Sequence, residues 1–302
     1  MTVELIATAT FGLEAVVAQE LKDLGYEKVT TENARVVFEA DESAICRSNL
    51  WLRTADRVLV KIGEFSATTF EELFEKTKAL PWADWLPENA SFPVNGKSIK
   101  SQLFSVSDCQ AIVKKAIVEK MKQRYRRSWF EEDGPRYTIE VSLLKDVATL
   151  TIDTSGVGLH KRGYRQLVAQ APLKETLASA LILLSRWRPD RALIDPFCGS
   201  GTIPIEAAMI GMKMAPGLNR SFAAMDWPNL PHNLWQSAKE EAMSLMVPDQ
   251  ELRISGYDVD EEVLSLARHH ARQAGVEKQI HFQRQAVAEL RSRHRYGYII
   301  CN

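Results

Sequence analysis

Cysteine is scarce in this 302-residue chain, and its four copies, Cys46, Cys109, Cys198 and Cys301, are scattered with no Cys-x-x-Cys pair. That excludes the usual spacing of a structural zinc site and gives no basis for a disulfide framework, so a reducing compartment is expected. Long apolar runs are missing as well. None approaches about 18 residues, so no membrane span is predicted. Met1 to Thr10 has no basic region ahead of an apolar core, so no signal peptide is predicted either. An excess of one charge is also lacking: 38 Lys plus Arg face 39 Asp plus Glu, for a net -1. This excludes a global positive field but permits a local basic patch. There is no low-complexity segment and no fixed-period repeat. With 45% hydrophobic and 25% charged residues, a cytoplasmic globular protein of two or three domains is expected.

The first sixty residues read as a small α/β unit. Val3 to Ala7 is a strand candidate. Leu13, Val16, Val17, Ala18 and Leu21 recur at helical spacing up to a stop at Gly25, and Arg35 to Glu39 is strand-like. Ile45, Leu50, Leu52, Val58, Leu59 and Ile62 form a further apolar-periodic stretch, and the cluster Pro81, Trp82, Trp85, Leu86, Pro87 predicts a loop or edge.

Between Ser91 and Arg127 nine basic residues face two acidic ones, the most basic stretch of the chain. Ile112, Val113, Ala116, Ile117 and Met121 predict a helix whose remaining faces carry Lys114, Lys115, Lys122 and Arg124, with Arg126 and Arg127 just beyond. A charge run of this kind is most often a solvated face. Phe104, Tyr125 and Trp129 lie nearby and suit base stacking, although core packing is the commoner use of such rings. Tyr137 to Leu143 and Val147 to Asp153 alternate as a β-hairpin. The glycine-rich basic segment that follows, with His160, Lys161, Arg162 and Arg165, predicts a domain connector near 155 to 170.

After it, strands and helices alternate. Pro172 opens a helix over Leu173 to Trp187. The strand Ala192 to Asp195 runs through Pro196 into Gly199-Ser200-Gly201-Thr202 and a helix over Ile203 to Ile210. Leu252 to Asp258 and the helix from Asp260 to Ala274 repeat the layout, and Ile280 to Gln283 and Tyr298 to Cys301 add two short strands. This order predicts a parallel, doubly wound sheet whose ligand lies beyond the carboxyl ends of the strands. The turn from Asp195 to Thr202 occupies that position, where glycines admit close backbone approach and a helix start favours an anionic group. It lacks the third glycine of a dinucleotide fingerprint, and no Gly-Lys-Ser/Thr follows, which disfavours NAD and ATP. Asp258 is placed to accept hydrogen bonds from ribose hydroxyls, and Asp260 to cap the next helix. Cys198 has no neighbouring base to mark it as a nucleophile. His160, His232, His269, His270, His281 and His294 show no metal-ligand spacing, so exposed or singly hydrogen-bonded histidines and no metal are expected.

Leu-Ile-Asp-Pro-Phe-Cys-Gly-Ser-Gly-Thr (193–202) resembles motif I of the S-adenosylmethionine-dependent methyltransferases of exocyclic amino groups, in the form found in RNA guanine-N2 enzymes. Gly163-Tyr164-Arg165 with Ala171 to Leu177 resembles motif X, and Gly256 to Asp260 resembles motif II. Ala9-Thr10-x-Gly12-Leu13-Glu14 and the basic middle segment resemble the ferredoxin-like and THUMP units joined to such enzymes. The likeness covers essentially the whole chain and points to the bacterial large-subunit rRNA guanine-N2 methyltransferases of the RlmL type.

The resemblance implies an α/β architecture: a ferredoxin-like unit over 1–60, a THUMP RNA-binding domain over 61–155 (starting near 44 by the family pattern), a linker over 156–170, and a class I methyltransferase domain over 171–302. It implies S-adenosylmethionine held by Asp195, Pro196, Phe197, Cys198, Gly199, Ser200, Gly201 and Thr202, with Asp258 and Val259 at the ribose. Motif III offers Gln285 and Ala286 at the adenine, where the family often has an acid. Tyr298 to Asn302 resembles the strand into motif IV, Asn-Pro-Pro-Tyr, with Asn302 as its first, catalytic residue. The sequence stops there, so the rest of motif IV and the later strands are expected outside it. RNA phosphates are assigned to Lys114, Lys115, Lys122, Arg124, Arg126, Arg127, Lys161, Arg162 and Arg165. The substrate implied is 23S rRNA. A tRNA substrate, or a noncatalytic RNA-binding scaffold, stands as the alternative.

Overall fold

The computed structural model describes residues 2–165, 173–292 and 295–302; Ala171, Pro172 and His294 lie outside them. The N-terminal half runs β1 (Thr2–Ala9), α1 (Glu14–Asp23), β2 (Val29–Glu32), β3 (Arg35–Asp41), α2 (Ser43–Trp51), β4 (Ala55–Ser66), α3 (Phe70–Ala79), α4 (Trp82–Trp85), β5 (Val94–Ile99), α5 (Val106–Tyr125), β6 (Thr138–Leu144) and β7 (Val147–Asp153). These strands form one seven-stranded sheet in the order β2-β3-β1-β4-β7-β6-β5, in which β5 and β6 pair parallel and the other neighbours antiparallel. β4 is the seam. Its first half pairs with β1 and its second half with β7, so the expected division between residues 60 and 61 falls inside a strand that serves both units.

Local chemistry accounts for most of these elements. The α1 helix buries Val17, Ala18 and Leu21, and its chain exits through Gly25 in the left-handed region at φ 93°. The α5 helix buries Val113, Ala116, Ile117 and Met121 of the expected stripe and Cys109 besides, while Ile112 is only partly covered. In the hairpin β6 alternates as predicted, but in β7 Thr149, Thr151 and Asp153 are buried as well as Ala148, Leu150 and Ile152, so that strand is covered on both faces. Two further expectations change. The stretch through Ile45 and Ile62 splits into α2 and β4. The Pro81 to Pro87 cluster forms the short helix α4, because Trp82 and Trp85 both insert into the core and Trp82 Nε1 donates to the Thr77 carbonyl.

The C-terminal half contains α6 (Glu175–Ser185), β8 (Ala192–Asp195), α7 (Thr202–Gly211), α8 (His232–Leu245), β9 (Ile254–Asp258), α9 (Glu261–Gln273), β10 (Ile280–Arg284) and β11 (Gly297–Ile299). Its four strands are all parallel, ordered β10-β9-β8-β11, so the strand order reverses at β8. Asp260 caps α9 as predicted, its Oδ1 accepting from the Glu262 and Val263 amides.

The connection from α7 to β9 takes a course that sequence patterning does not predict. It leaves the small sheet and packs into the core of the large one through Phe222, Trp227, Leu230 and Trp235. Trp227 stacks on Tyr137 at 4.5 Å, and Arg47 of α2 pairs with Glu241 of α8 at 2.8 Å. The two halves are thus joined by a shared apolar core. Among the described residues no helix is long and apolar enough to cross a membrane.

Candidate active site

β8 is an apolar strand that delivers Asp195 to the end of the parallel sheet beside the reversal of strand order, where an open cleft forms. The chain then turns through Gly199 (φ 50°) and Gly201 (φ 84°), both in the left-handed region. Gly201 has a second reason to be glycine: a Cβ there would lie 3.0 Å from that of Ala267. Gly199 faces open space. The α7 helix begins at Thr202 with no side-chain cap, so its first amides remain available to a ligand.

A cavity of about 310 Å³ lies against this turn, lined by Asp195, Phe197, Cys198, Gly199, Ser200 and Thr202, and by Asn302 from the chain that follows β11. The cavity brings together six of the eight turn residues expected at the cofactor and the motif IV asparagine. Leu173, Ile203 and Val263 complete the wall and are not among the expected site residues. Val263 was open to detection in one respect, since it lies in the first turn of the helix that follows Asp258. Leu173 lies in the stretch that resembles motif X, whereas Ile203 carries no signal beyond apolarity.

The electrostatics of the turn centre on two carboxylates. Asp195 is buried and accepts from the Phe197 amide at 3.1 Å; burial, with Asp258 nearby, pushes its pKa from 3.8 up to about 7. Asp258 accepts from the Gly199 amide at 3.0 Å through one oxygen and from the Asp260 amide at 3.1 Å through the other. Each oxygen retains a lone pair for a further donor. Asp195 is on the cavity wall, whereas Asp258, Val259, Gln285 and Ala286 are not; Asp258 adjoins it through Gly199. A cationic nucleoside suits this set: one carboxylate in the cavity and a second beside it, free amides at a helix start, and a glycine open to close approach. Val259 is exposed, and Gln285 and Ala286 are partly buried beyond β10. The Gln285 amide donates to the Asp258 carbonyl, but its side-chain Nε2 is turned to the Glu289 carbonyl.

Cys198 is a packing residue. Burial, with Asp195 and Asp258 near, holds its thiol well above the ordinary range, and its amide donates to the Tyr257 carbonyl. His270 is buried rather than exposed, and its Nδ1 donates to the Ser200 carbonyl at 3.2 Å, tying the turn to α9. Among the described residues no group of His, Cys, Asp and Glu is placed to hold a metal ion.

The basic residues divide into distinct sets. Lys115, Arg124 and Arg126 are exposed, as is Lys161. Lys114 is held by Glu132 (2.6 Å) and the Phe92 carbonyl (3.0 Å), Lys122 pairs with Glu119, and Arg127 pairs with Glu88. Two assignments to RNA phosphates are corrected. Arg162 is 3% exposed, donating to the Leu159 and Arg53 carbonyls and lying 3.6 Å from buried Glu206. Arg165 is turned inward to Glu175 and donates to Thr202 Oγ1 at 2.5 Å. Burial of charge demands such partners, and they are too distant in sequence to be read from a charge run. Trp129 and Phe104 are exposed; Tyr125 donates its hydroxyl to the Leu86 carbonyl.

Comparison with known proteins places the whole chain. Residues 4–59 match the RlmL ferredoxin-like domain, 67–153 the THUMP domain, and 162–302 the RMKL-like methyltransferase domain. The chain is 52% identical over 300 residues to "Putative RNA methyltransferase YpsC" of Bacillus subtilis, covering 99% of this chain and 78% of that protein. A crystal structure from Listeria monocytogenes, described as a predicted N6-adenine-specific DNA methylase, superposes with a TM-score of 0.97 at 54% identity, over 100% of this chain and 79% of that one. Another, described as "SMU.472, a putative methyltransferase complexed with SAH", gives 0.95 at 46% identity, over 100% and 80%. The chain belongs to the RlmL-type family, in which a ferredoxin-like unit and a THUMP domain precede a methyltransferase domain.

Proposed function

We propose that the protein is an S-adenosylmethionine-dependent RNA methyltransferase acting on the exocyclic N2 of a guanine in 23S rRNA. In this reading residues 1–60 and 61–155 bind the RNA and residues 171–302 carry the chemistry. The observation that carries it is the cavity shared by the 195–202 turn and Asn302, beside Asp258. SAH is what S-adenosylmethionine becomes once its methyl group has left, and its presence in a relative 46% identical supports the cofactor. The THUMP match and the name of the Bacillus relative support RNA as substrate.

Bound in the cavity, the cofactor supplies an electrophilic methyl group on a positively charged sulfur. Asp195, Gly199 and the free amides at the start of α7 would hold its amino-acid part, and Asp258 its ribose. The Asn302 side-chain carbonyl would accept a hydrogen from the base amino group, aiming the nitrogen lone pair into the cavity. Positioning and charge placement, rather than strong acid-base chemistry, are the chain's contribution. Lys115, Arg124, Arg126 and Lys161, exposed and in no ion pair among the described residues, are assigned to RNA phosphates.

The test is methyl transfer from labelled S-adenosylmethionine to purified 23S rRNA and to tRNA, both from a strain lacking the gene, followed by nucleoside analysis. Label in N2-methylguanosine of the rRNA is the expected result. Label in tRNA or in N6-methyladenosine would move the substrate, and no transfer to any RNA would overturn the reading.

A further inference from the structure

A cleft of about 770 Å³ lies outside the cofactor cavity, between the connector that follows β7 and the loop around Arg220. Val157, His160 and Lys161 on its wall fall between the THUMP match, which ends at 153, and the methyltransferase match, which begins at 162. We propose that this cleft is a backbone-phosphate site for the RNA strand beside the target nucleotide, formed by Lys161, Lys174 and Arg220. The inference rests on the reading that the substrate is RNA.

Charge is the first argument. Glu175 is the one carboxylate among the described residues of the wall, and Arg165 already pairs with it at 3.5 Å. Lys161 and Lys174 are exposed, and no ion pair among the described residues includes either of them or Arg220. Arg220 spends its hydrogens on neutral acceptors, the carbonyls of Val157, Gly158 and Lys161. Burial, together with Arg162 and Arg57 and against Asp153, lowers its pKa to about 10, and His160 is held below its ordinary value by burial and by Lys174, with Lys161 and Arg162 adding to the effect and Asp56 opposing it. A polyanion would meet the unpaired charges of Lys161 and Lys174.

Preorganisation is the second. Gly163 sits at φ 100°, and a Cβ on it would stand 2.7 Å from the Asn219 carbonyl oxygen, so the two walls meet backbone to backbone. The Arg220 clamp on three connector carbonyls fixes the same two walls. Position is the third. Arg165 lines this cleft while its guanidinium donates to Thr202, which lines the cofactor cavity, so the two sites are one side chain apart. A phosphate held here would sit next to the cavity that receives the base beside Asn302.

The experiment compares wild type with Lys161→Glu/Lys174→Glu, leaving Arg220 in place because it holds the connector. Binding of transcribed 23S rRNA is measured across a salt series, SAH binding by calorimetry, and the melting temperature by scanning. RNA affinity is expected to fall about tenfold or more, with a salt slope shallower by about 2, while SAH affinity and melting temperature stay unchanged. Equal RNA affinity and slope in both proteins would overturn the cleft assignment alone. So would parallel loss of RNA and SAH binding, which would mark a structural role for the lysines, or competition by inorganic phosphate equal to that of RNA at matched ionic strength. A wild type that binds SAH but no RNA would overturn the functional reading itself.

Discussion

The Gly199 amide donates to the Asp258 carboxylate at 3.0 Å, joining the ends of β8 and β9 across 59 residues of sequence. With the Cys198 amide on the Tyr257 carbonyl, this bond holds the glycine turn to β9, so the turn and the carboxylate proposed to meet the ribose set each other's place. Asp258→Ala is therefore expected to weaken SAH binding by about 1.5–3 kcal/mol, roughly ten- to a hundredfold, since a charge-assisted bond and its orienting partner are both removed. Asp258→Asn keeps an acceptor for Gly199 and should lose less. Calorimetric titration of both variants checks the order; equal affinity in wild type and the alanine variant would refute it.

The raised pKa of Asp195 makes cofactor affinity depend on pH. In the ligand-free protein the carboxyl is protonated below about 7, because burial, with Asp258 nearby, disfavours the anion. A cationic ligand prefers the anion, so binding must expel a proton at low pH. S-adenosylmethionine affinity should fall as pH drops below 7, by at most about tenfold per unit, and Asp195→Asn should flatten the profile. Ligand-free stability runs the opposite way: the contribution of the protonated group is full below the ordinary value of 3.8 and is lost as pH rises through about 7. Titrations in buffers of different ionisation enthalpy would reveal the released proton.

What could be read from the sequence was what is encoded locally. The strand-turn-helix from Leu193 to Thr202 is legible because an apolar run, two glycines and a helix start lie within ten residues, and Asp260 is legible because a cap is a contact between near neighbours. The excursion through Trp227 was not, because its stacking partner Tyr137 belongs to the other half of the chain. Arg162 and Lys115 look alike as letters in a basic segment. Only the fold distinguishes an arginine facing buried Glu206 from a lysine facing solvent.

Glu206 anchors the buried network between the halves. It accepts from Ser179 Oγ at 2.6 Å and Tyr164 Oη at 3.1 Å and lies 3.6 Å from Arg162, which in turn donates to the Arg53 carbonyl. Glu206→Ala would leave Arg162 charged and buried with its nearest carboxylate removed. A loss of about 3–5 kcal/mol in stability is expected, with Glu206→Gln losing less because its amide oxygen still accepts from one hydroxyl and its NH2 can donate to the oxygen of the other. Chemical denaturation of the two variants measures this; a loss under about 1 kcal/mol for the alanine variant would show the pair to be dispensable.

The α5 helix and its C-cap separate exposed charge, here assigned to RNA, from charge that holds the fold. Lys114 is pinned by Glu132 and the Phe92 carbonyl, with its ammonium 3.5 Å from the centre of the Phe92 ring, so its replacement disrupts bonding inside the protein. Lys115, Arg124 and Arg126 are exposed and pair with no carboxylate among the described residues. Replacing these three by glutamine should make the salt dependence of RNA binding shallower by about 1 for each phosphate no longer neutralised, and leave the melting temperature unchanged. Lys114→Gln should do the opposite, lowering the melting temperature while the salt slope keeps its wild-type value. Measuring both quantities on both variants decides whether this face meets RNA, because a helix that is merely solvated would show no change in slope for either.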